Sequence, residues 1–156
     1  MLLNISKSAT LPTSAETVWA LLRQPKRVAA CLPNVQEFSE RDAPGEYLAV
    51  LVERLGPFSI DVALSVNVVE DAAARRTTAR VSGEDRAGNA RVRGEVGATV
   101  MAAGAGATLD VTSRVEVLGR LATLGAVPIR RRGDQVFDQF IENLRVAVAA
   151  GAGNVL

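Results

Sequence analysis

The feature that most constrains this chain is a regular alternation of apolar and polar residues along its middle. From residue 58 to residue 68, every second side chain is Phe, Ile, Val or Leu, and the residues between them are small or polar. Residues 90–100 and 109–117 follow the same pattern. A period of two places the apolar side chains on one face of an extended strand, so each stretch predicts a strand with one buried face.

Shorter segments complete a predicted sheet of about seven strands. Four of them have strand-like composition and spacing: residues 3–10, 35–40, 47–54 and 77–83. The connections at residues 86–89 and 103–106 are short and contain glycine, which suits hairpins between antiparallel neighbours. The sequence therefore predicts one antiparallel sheet.

Two short helices are predicted between the first and second strands. Thr13 and Glu16 have the spacing of a capping box, in which a hydroxyl accepts a free backbone amide and a carboxylate reaches back. A helix over residues 14–23 follows, and Pro25 ends it because the residue before proline avoids helical dihedral angles. Residues 26–31 predict the second helix.

The hydrophobic period changes from two to between three and four after residue 117. The apolar residues with this spacing are Leu121, Leu124, Ile129, Val136, Phe137, Phe140, Leu144 and Val148. They predict a long amphipathic helix, with a kink or a restart at Pro128. This helix alone is long enough to cover the apolar face of the sheet, so the predicted fold class is α+β, with a curved sheet around a C-terminal helix.

The composition excludes several kinds of function. Histidine, the commonest general base and transition-metal ligand, is absent. We find no nucleophile–base pair, metal cluster or phosphate loop, so we assign no catalytic residue, no metal ligand and no cofactor. The formal net charge of +1 gives no reason to expect nucleic acid. Cys31 is the only cysteine, and no apolar run approaches the roughly 18 residues of a membrane-spanning helix, so we expect a cytoplasmic protein.

The acidic residues of the alternating strands are expected to face water, because each lies between two apolar positions. They are Asp61, Glu95, Asp110 and Glu116. The interior of the sheet should therefore be apolar.

The residues of 90–100 that point inward are Ala, Val, Gly, Val, Ala and Val, which are all small. A curved sheet lined by such residues can leave apolar space of roughly 300–1,000 Å³, the usual size of a small-molecule site. The alternative is that the helix packs closer and the core is solid. The expected lining is Phe58, Ile60, Val62, Val96, Val100, Val115 and Val117 on the sheet, with Leu121, Leu124, Val136, Phe137 and Phe140 on the helix.

Four stretches carry a resemblance to a known family. They are Val18-Trp19-Ala20-Leu21-Leu22 before Gln24-Pro25, Cys31-Leu32-Pro33-Asn34-Val35, Leu55-Gly56-Pro57-Phe58, and Val117 to Gly125 with Phe137-Asp138-Gln139-Phe140 after it. In order and spacing the chain resembles the CoxG family of carbon monoxide dehydrogenase subunits, within the START-like (SRPBCC) helix-grip superfamily. The resemblance implies one ligand-binding domain over residues 1–150, and the glycine-rich residues from 151 onward predict a frayed end at 151–156.

The resemblance also implies a function. It predicts non-catalytic binding of an apolar small molecule, a lipid or quinone-like compound, with no bound metal. Molybdenum hydroxylase subunits are the implied partners, because the family is linked to molybdenum-containing carbon monoxide dehydrogenases as accessory or membrane-recruiting proteins. Two alternatives remain open: an enzyme of the polyketide cyclase or aromatase type, and a docking subunit that binds no ligand.

A basic stretch near the start of the last helix allows two interpretations. Arg130, Arg131 and Arg132, with Arg120 nearby, could bind acidic lipid head groups and give weak peripheral contact at the inner membrane face. Alternatively they form a solvated helix face, since three consecutive side chains point in different directions around a helix. The sequence favours the second interpretation.

Overall fold

The computed structural model describes residues 1–153, with side chains described for residues 1–150. Within that range the chain forms one seven-stranded antiparallel sheet in the order β1-β7-β6-β5-β4-β3-β2. The strands are β1 Leu2–Leu11, β2 Val35–Glu40, β3 Glu46–Leu55, β4 Phe58–Asp71, β5 Arg76–Asp85, β6 Arg91–Ala103 and β7 Gly106–Leu118. The helices are α1 Ala15–Leu22, α2 Pro25–Cys31, a 3₁₀ segment Arg120–Leu124 and α3 Ala126–Gly153. The predicted α+β fold class is confirmed.

The alternating pattern along β4 sets which face of the sheet is buried. Ile60, Val62 and Leu64 are buried, whereas the residues between them are half-buried or exposed. Two-residue turns fix the register of the neighbouring strands, as in the β3–β4 hairpin, where Leu55 pairs with Phe58. Gly56 in that turn has φ +55°, a conformation that glycine adopts without steric cost. Local turn chemistry and hydrophobic pattern therefore specify the same register.

The N-terminus of α1 differs from the predicted capping box. The capping residue is Ser14 rather than Thr13, and its Oγ accepts the backbone amide of Thr17 over 3.3 Å. The carbonyl of Ser14 also accepts the first helical amide, from Val18, at 3.1 Å. A cap must be the residue at which the intrahelical bonds begin, and this position lies one residue later than the spacing suggested.

Pro128 marks a restart of the chain rather than a kink within a helix. The 3₁₀ segment ends at Leu124, Gly125 turns with φ +80°, and α3 begins at Ala126. Pro128 thus lies in the first turn of α3, where its missing amide has no intrahelical partner to lose. The helix continues to Gly153, and the remainder of the predicted frayed end, residues 154–156, lies outside the described residues.

Buried apolar side chains form two separate cores. The α1-side core joins α1 and α2 to α3 and the β6–β7 hairpin, and it includes Leu11, Val18, Leu109, Ile141, Leu144 and Val148. The β4-side core joins β3 and β4 to the 3₁₀ segment, and it includes Ala49, Ile60, Val62, Leu64, Val117 and Leu121. The middle of the inner sheet face lies between them.

Helix α3 also covers the free edge of β1. The Nη1 of Arg130 donates to the carbonyl oxygen of Asn4 at 2.9 Å, and the Nη2 of Arg145 donates to that of Thr10 at 3.0 Å. Strand β1 is an edge strand, so these carbonyls would otherwise be open to another strand or to water. The helix is therefore fixed along β1.

Candidate functional site

The inner face of the sheet is thinly covered at its centre. Across three neighbouring strands, Val81 pairs with Gly94, and Gly94 pairs with Val115, so the middle of this row has no side chain. Val81, Val115 and the nearby Val96 are only half-buried. Water can therefore reach these aliphatic side chains, although they point toward the side that α3 covers. We call the space beside Val81, Gly94, Val96 and Val115 the central groove.

Helix α3 approaches strand β1 closely at Gly133. A Cβ added to Gly133 would lie 3.4 Å from the Cδ1 of Ile5 on β1. Val136 and Phe137 follow Gly133 at three and four residues, so they share its face of the helix. Both are half-buried. The two residues therefore lie on the side of α3 that faces the sheet.

The structure distributes the residues predicted to line a ligand site among three places. Those in or against the β4-side core are Phe58, Ile60, Val62, Val115, Val117, Leu121 and Leu124. Those in or against the α1-side core are Val100, Phe137 and Phe140. Val96 and Val136 belong to neither core and are half-buried. The fully buried members of the set contribute to packing, whereas the half-buried members are partly accessible to solvent.

Two surface depressions lie on the opposite, outer face of the sheet. One, of about 190 Å³, lies over Gly97 beside Arg76 and Arg114. The other, of about 150 Å³, lies between Arg93 and Leu118. Both are smaller than the roughly 300–1,000 Å³ of ordinary small-molecule sites. Neither coincides with the predicted lining residues.

An ion pair that the sequence analysis missed lies on the inner face. Glu53 pairs with Ile60, so its side chain shares the inner face with that buried residue. The Nε of Arg132 on α3 lies 3.0 and 2.8 Å from the two carboxylate oxygens of Glu53. The Glu53 side chain is only 8% exposed. The interior is therefore not wholly apolar.

A signal for Glu53 was present in the sequence. The two-residue turn at Gly56-Pro57 pairs Leu55 with Phe58, and counting back by two places Glu53 opposite Ile60. The residues immediately before Glu53 are all apolar, so no alternation of apolar and polar residues is visible there. The pattern alone therefore did not assign Glu53 to a face of the sheet.

Two further polar side chains point to the inner face, nearer its margins. Lys7 on β1 lies 3.1 Å from the carboxylate of Asp134 and 5.8 Å from the centre of the Phe137 ring. Tyr47 on β3 stacks on Phe38 with 4.9 Å between ring centres. These contacts stabilise α3 and β2 against the sheet.

The contacts of the basic stretch and the burial of Cys31 indicate structural roles for both. Arg130 binds the edge of β1 and Arg132 binds Glu53, so two of the three consecutive guanidinium groups hold α3 to the sheet, while Arg131 is exposed.

Burial raises the pKa of the Cys31 thiol, and the charge of Arg27 only partly opposes this. The thiol therefore stays protonated at neutral pH, which argues against a reactive cysteine.

No helix within residues 1–153 combines the length and the hydropathy that crossing a membrane requires.

The arrangement of the sheet around α3 defines a class of protein. A START superfamily protein from Mycobacterium smegmatis superposes with a TM-score of 0.71 at 14% identity, over 94% of this chain and 97% of that one. A conserved protein from Geobacillus kaustophilus superposes with a TM-score of 0.83 at 20% identity, over 95% and 96% of the two chains. The Zhui aromatase/cyclase from Streptomyces sp. R1128 gives a TM-score of 0.59 at 15% identity, over 98% and 94%. The chain therefore has the START-like fold.

Comparison of sequences identifies the family. The model of the CoxG family of carbon monoxide dehydrogenase subunits matches residues 8–149, and the chain belongs to that family. The resemblance drawn from the sequence motifs is confirmed. None of the curated proteins matches the sequence.

Proposed function

We propose that this protein binds an apolar small molecule, a lipid or quinone-like compound, in the central groove between the sheet and α3. The observation that carries the proposal is the accessibility of Val81, Val96 and Val115 around Gly94. Apolar side chains that remain accessible to water gain about 25 cal/mol for each Å² that a ligand covers. Membership of the CoxG family and the START-like fold support it.

We further propose that binding serves a larger assembly. The family name connects the chain with carbon monoxide dehydrogenase, so the protein would act as an accessory or membrane-recruiting subunit of a molybdenum-containing complex of that type. It would work in the cytoplasm, with peripheral contact at the inner membrane face. Val127, which is 67% exposed, and Arg131 lie one turn apart on α3 and suit an acidic lipid surface.

A second candidate function is catalysis of the cyclase or aromatase type. The inner-face position of Glu53 favours it, because such catalysis needs a polar group beside the bound substrate. The pairing of Glu53 with Arg132 opposes it, since both carboxylate oxygens already lie within hydrogen-bonding distance of the guanidinium and are not free to act on a substrate. A docking subunit that binds no ligand is the third alternative.

The test is titration of the purified protein with a neutral fluorescent hydrocarbon probe, together with native mass spectrometry of gently purified protein. Ligand binding predicts saturable fluorescence and a co-purifying apolar mass. The substitution Val96→Phe should fill the groove and weaken probe binding at least about tenfold, whereas Val146→Phe, on the exposed side of α3, should not. Unsaturable fluorescence that is equal in all three proteins would contradict the proposal.

A further inference from the structure

We propose that the Glu53–Arg132 ion pair selects the polar end of the ligand. In this inference, which rests on the proposed ligand binding, the groove accepts an apolar chain that carries a neutral hydroxyl group. It discriminates against the same chain carrying a carboxylate or an ammonium group. The pair is thus a specificity determinant for a fatty alcohol or another neutral, hydroxylated lipid.

The position of the pair supports a role at the ligand. Glu53 lies between Leu51 and Leu55 along the inner face of β3, and it faces Ile60 across the hairpin. On α3, Val136 follows Arg132 by four residues, so the two side chains lie one helical turn apart on the same face of the helix. A ligand in the groove that extends along this face of α3 toward β3 would meet the ion pair with its polar end.

The hydrogen bonds of Arg132 to the described residues use its Nε and Nη1 and leave its Nη2 available as a donor. The Nε binds both oxygens of Glu53, and the Nη1 donates to the Oε1 of Gln135 at 3.2 Å. Among the side chains described, those of residues 1–150, the Arg132 Nη2 has no hydrogen-bond partner. The Arg132 side chain is 36% exposed, whereas that of Glu53 is 8% exposed. A ligand would consequently contact the guanidinium of Arg132 first and then the carboxylate of Glu53 beside it.

The charges of the pair already cancel, and this decides which head group fits. A hydroxyl can accept from Arg132 and donate to the carboxylate of Glu53, so it satisfies both without adding a charge. A second carboxylate would compete with Glu53 for one guanidinium and would lose its own hydration. An ammonium group would meet the positive charge of Arg132. Both charged head groups are therefore disfavoured.

The experiment measures displacement of the neutral fluorescent probe by 1-decanol, decanoate and decylammonium at pH 7. These competitors have the same chain length and differ in the head group. The intact protein should bind decanol at least about tenfold more tightly than either ion, which corresponds to roughly 1.4 kcal/mol. Glu53→Gln leaves Arg132 without its counter-ion, so the ratio of decanol to decanoate affinity should fall at least about tenfold.

Two further variants complete the design. Arg132→Gln should raise the relative affinity for decylammonium, and it tests the same idea if Glu53→Gln does not fold. Glu95→Gln removes one partner of the exposed Arg80–Glu95 pair on the outer face, whose atoms lie 2.8 Å apart. This control changes the net charge by the same amount as Glu53→Gln, but on the outer face. It should therefore leave every ratio of competitor affinities unchanged. Circular dichroism melting curves establish that each variant is folded.

The outcomes separate this inference from the proposed function. Equal affinities for the three competitors, or ratios that neither inner-face variant changes, would overturn the selection by the ion pair while probe binding stands. Absence of probe binding by the intact protein would overturn ligand binding and, with it, this inference. A shift caused equally by Glu95→Gln would also overturn it, because net charge rather than the inner-face pair would then control affinity.

Discussion

The carboxylate of Asp85 accepts the backbone amide of Asp61 over 2.7 Å, and this bond ties the end of β5 to β4. The other carboxylate oxygen accepts the amide of Asn89 at 3.0 Å, so one side chain also organises the turn into β6. Asp85 is only 5% exposed. Two strands and a turn therefore depend on one buried carboxylate.

We expect Asp85→Asn to lower the free energy of unfolding by about 1–3 kcal/mol, because the amide nitrogen cannot accept the second backbone hydrogen bond. Urea denaturation at pH 7 measures this loss. Asp138→Asn, at an exposed position on α3, is the matched control and should change stability by less than about 0.5 kcal/mol. Equal stability of the two variants would contradict the structural role of Asp85.

The same residue predicts a pH dependence. Burial acts to raise the pKa of Asp85, but hydrogen bonds from the backbone amides of Asp61, Asn89 and Ala87 outweigh it, and the net pKa is lowered. A carboxyl whose pKa is lower in the folded state stabilises the protein above its unfolded-state pKa, and this stability is lost as the pH falls through the folded-state pKa. The stability difference between wild type and Asp85→Asn should thus shrink in acid. A difference that is constant from neutral to acid pH would disagree.

The corrected helix cap gives a second prediction. Ser14→Ala removes the hydroxyl that accepts the amide of Thr17, and we expect a loss of about 1 kcal/mol. Thr13→Ala should cost less, since Thr13 precedes the cap. Thermal melting of the two variants decides between the positions. A larger effect at Thr13 would restore the capping box that the sequence spacing predicts.

Close strand packing at Gly94 gives a third prediction. A Cβ there would collide with the carbonyl oxygen of Arg114 and would lie 2.7 Å from the Cα of Val115. Gly94→Ala should therefore destabilise by about 3 kcal/mol, through backbone overpacking. Gly88→Ala is the control: its φ of +79° carries strain of about 1 kcal/mol, but no atom lies within 4 Å. Urea denaturation should rank Gly94→Ala as the more damaging change.

A fourth prediction concerns space in the central groove. Val96→Phe should change the free energy of unfolding by less than about 1 kcal/mol, because the larger ring enters accessible space. Val62, by contrast, is 0% exposed within the β4-side core, and Val62→Phe should cost about 1–3 kcal/mol by overpacking. Urea denaturation of both variants measures the difference. Comparable losses at both positions would indicate a closed interior, which was the alternative that the sequence left open.

The predictable part of the fold is the part that periodicity controls. The run of alternating residues around Val62 specified a half-buried strand, and the structure contains that strand with the same face buried. The short glycine-containing connection at residues 103–106 predicted the β6–β7 hairpin, in which Ala103 pairs with Gly106. These signals are local, because a strand and a tight turn each depend on residues close together in the sequence.

The candidate site was less predictable because it depends on contacts between distant elements. Arg132 and Glu53 are far apart in the chain, and nothing in the basic stretch around Arg132 indicates a carboxylate on β3. The division of the interior into two cores depends in the same way on where α3 meets the sheet, as at Gly133 and Ile5. Side-chain period gives the face of a strand, but it does not give the distance to the covering helix.

The hydrogen bonds from Arg130 and Arg145 to the carbonyls of β1 give α3 a second role: it covers the apolar interior and also protects the edge of β1. If α3 moved away from the sheet, it would expose both the apolar inner face and the unpaired backbone groups at the edge of β1. Exposed apolar surface and unpaired edge groups together favour β-pairing between molecules. Protection against self-association in this protein consequently depends on how firmly α3 is held along β1.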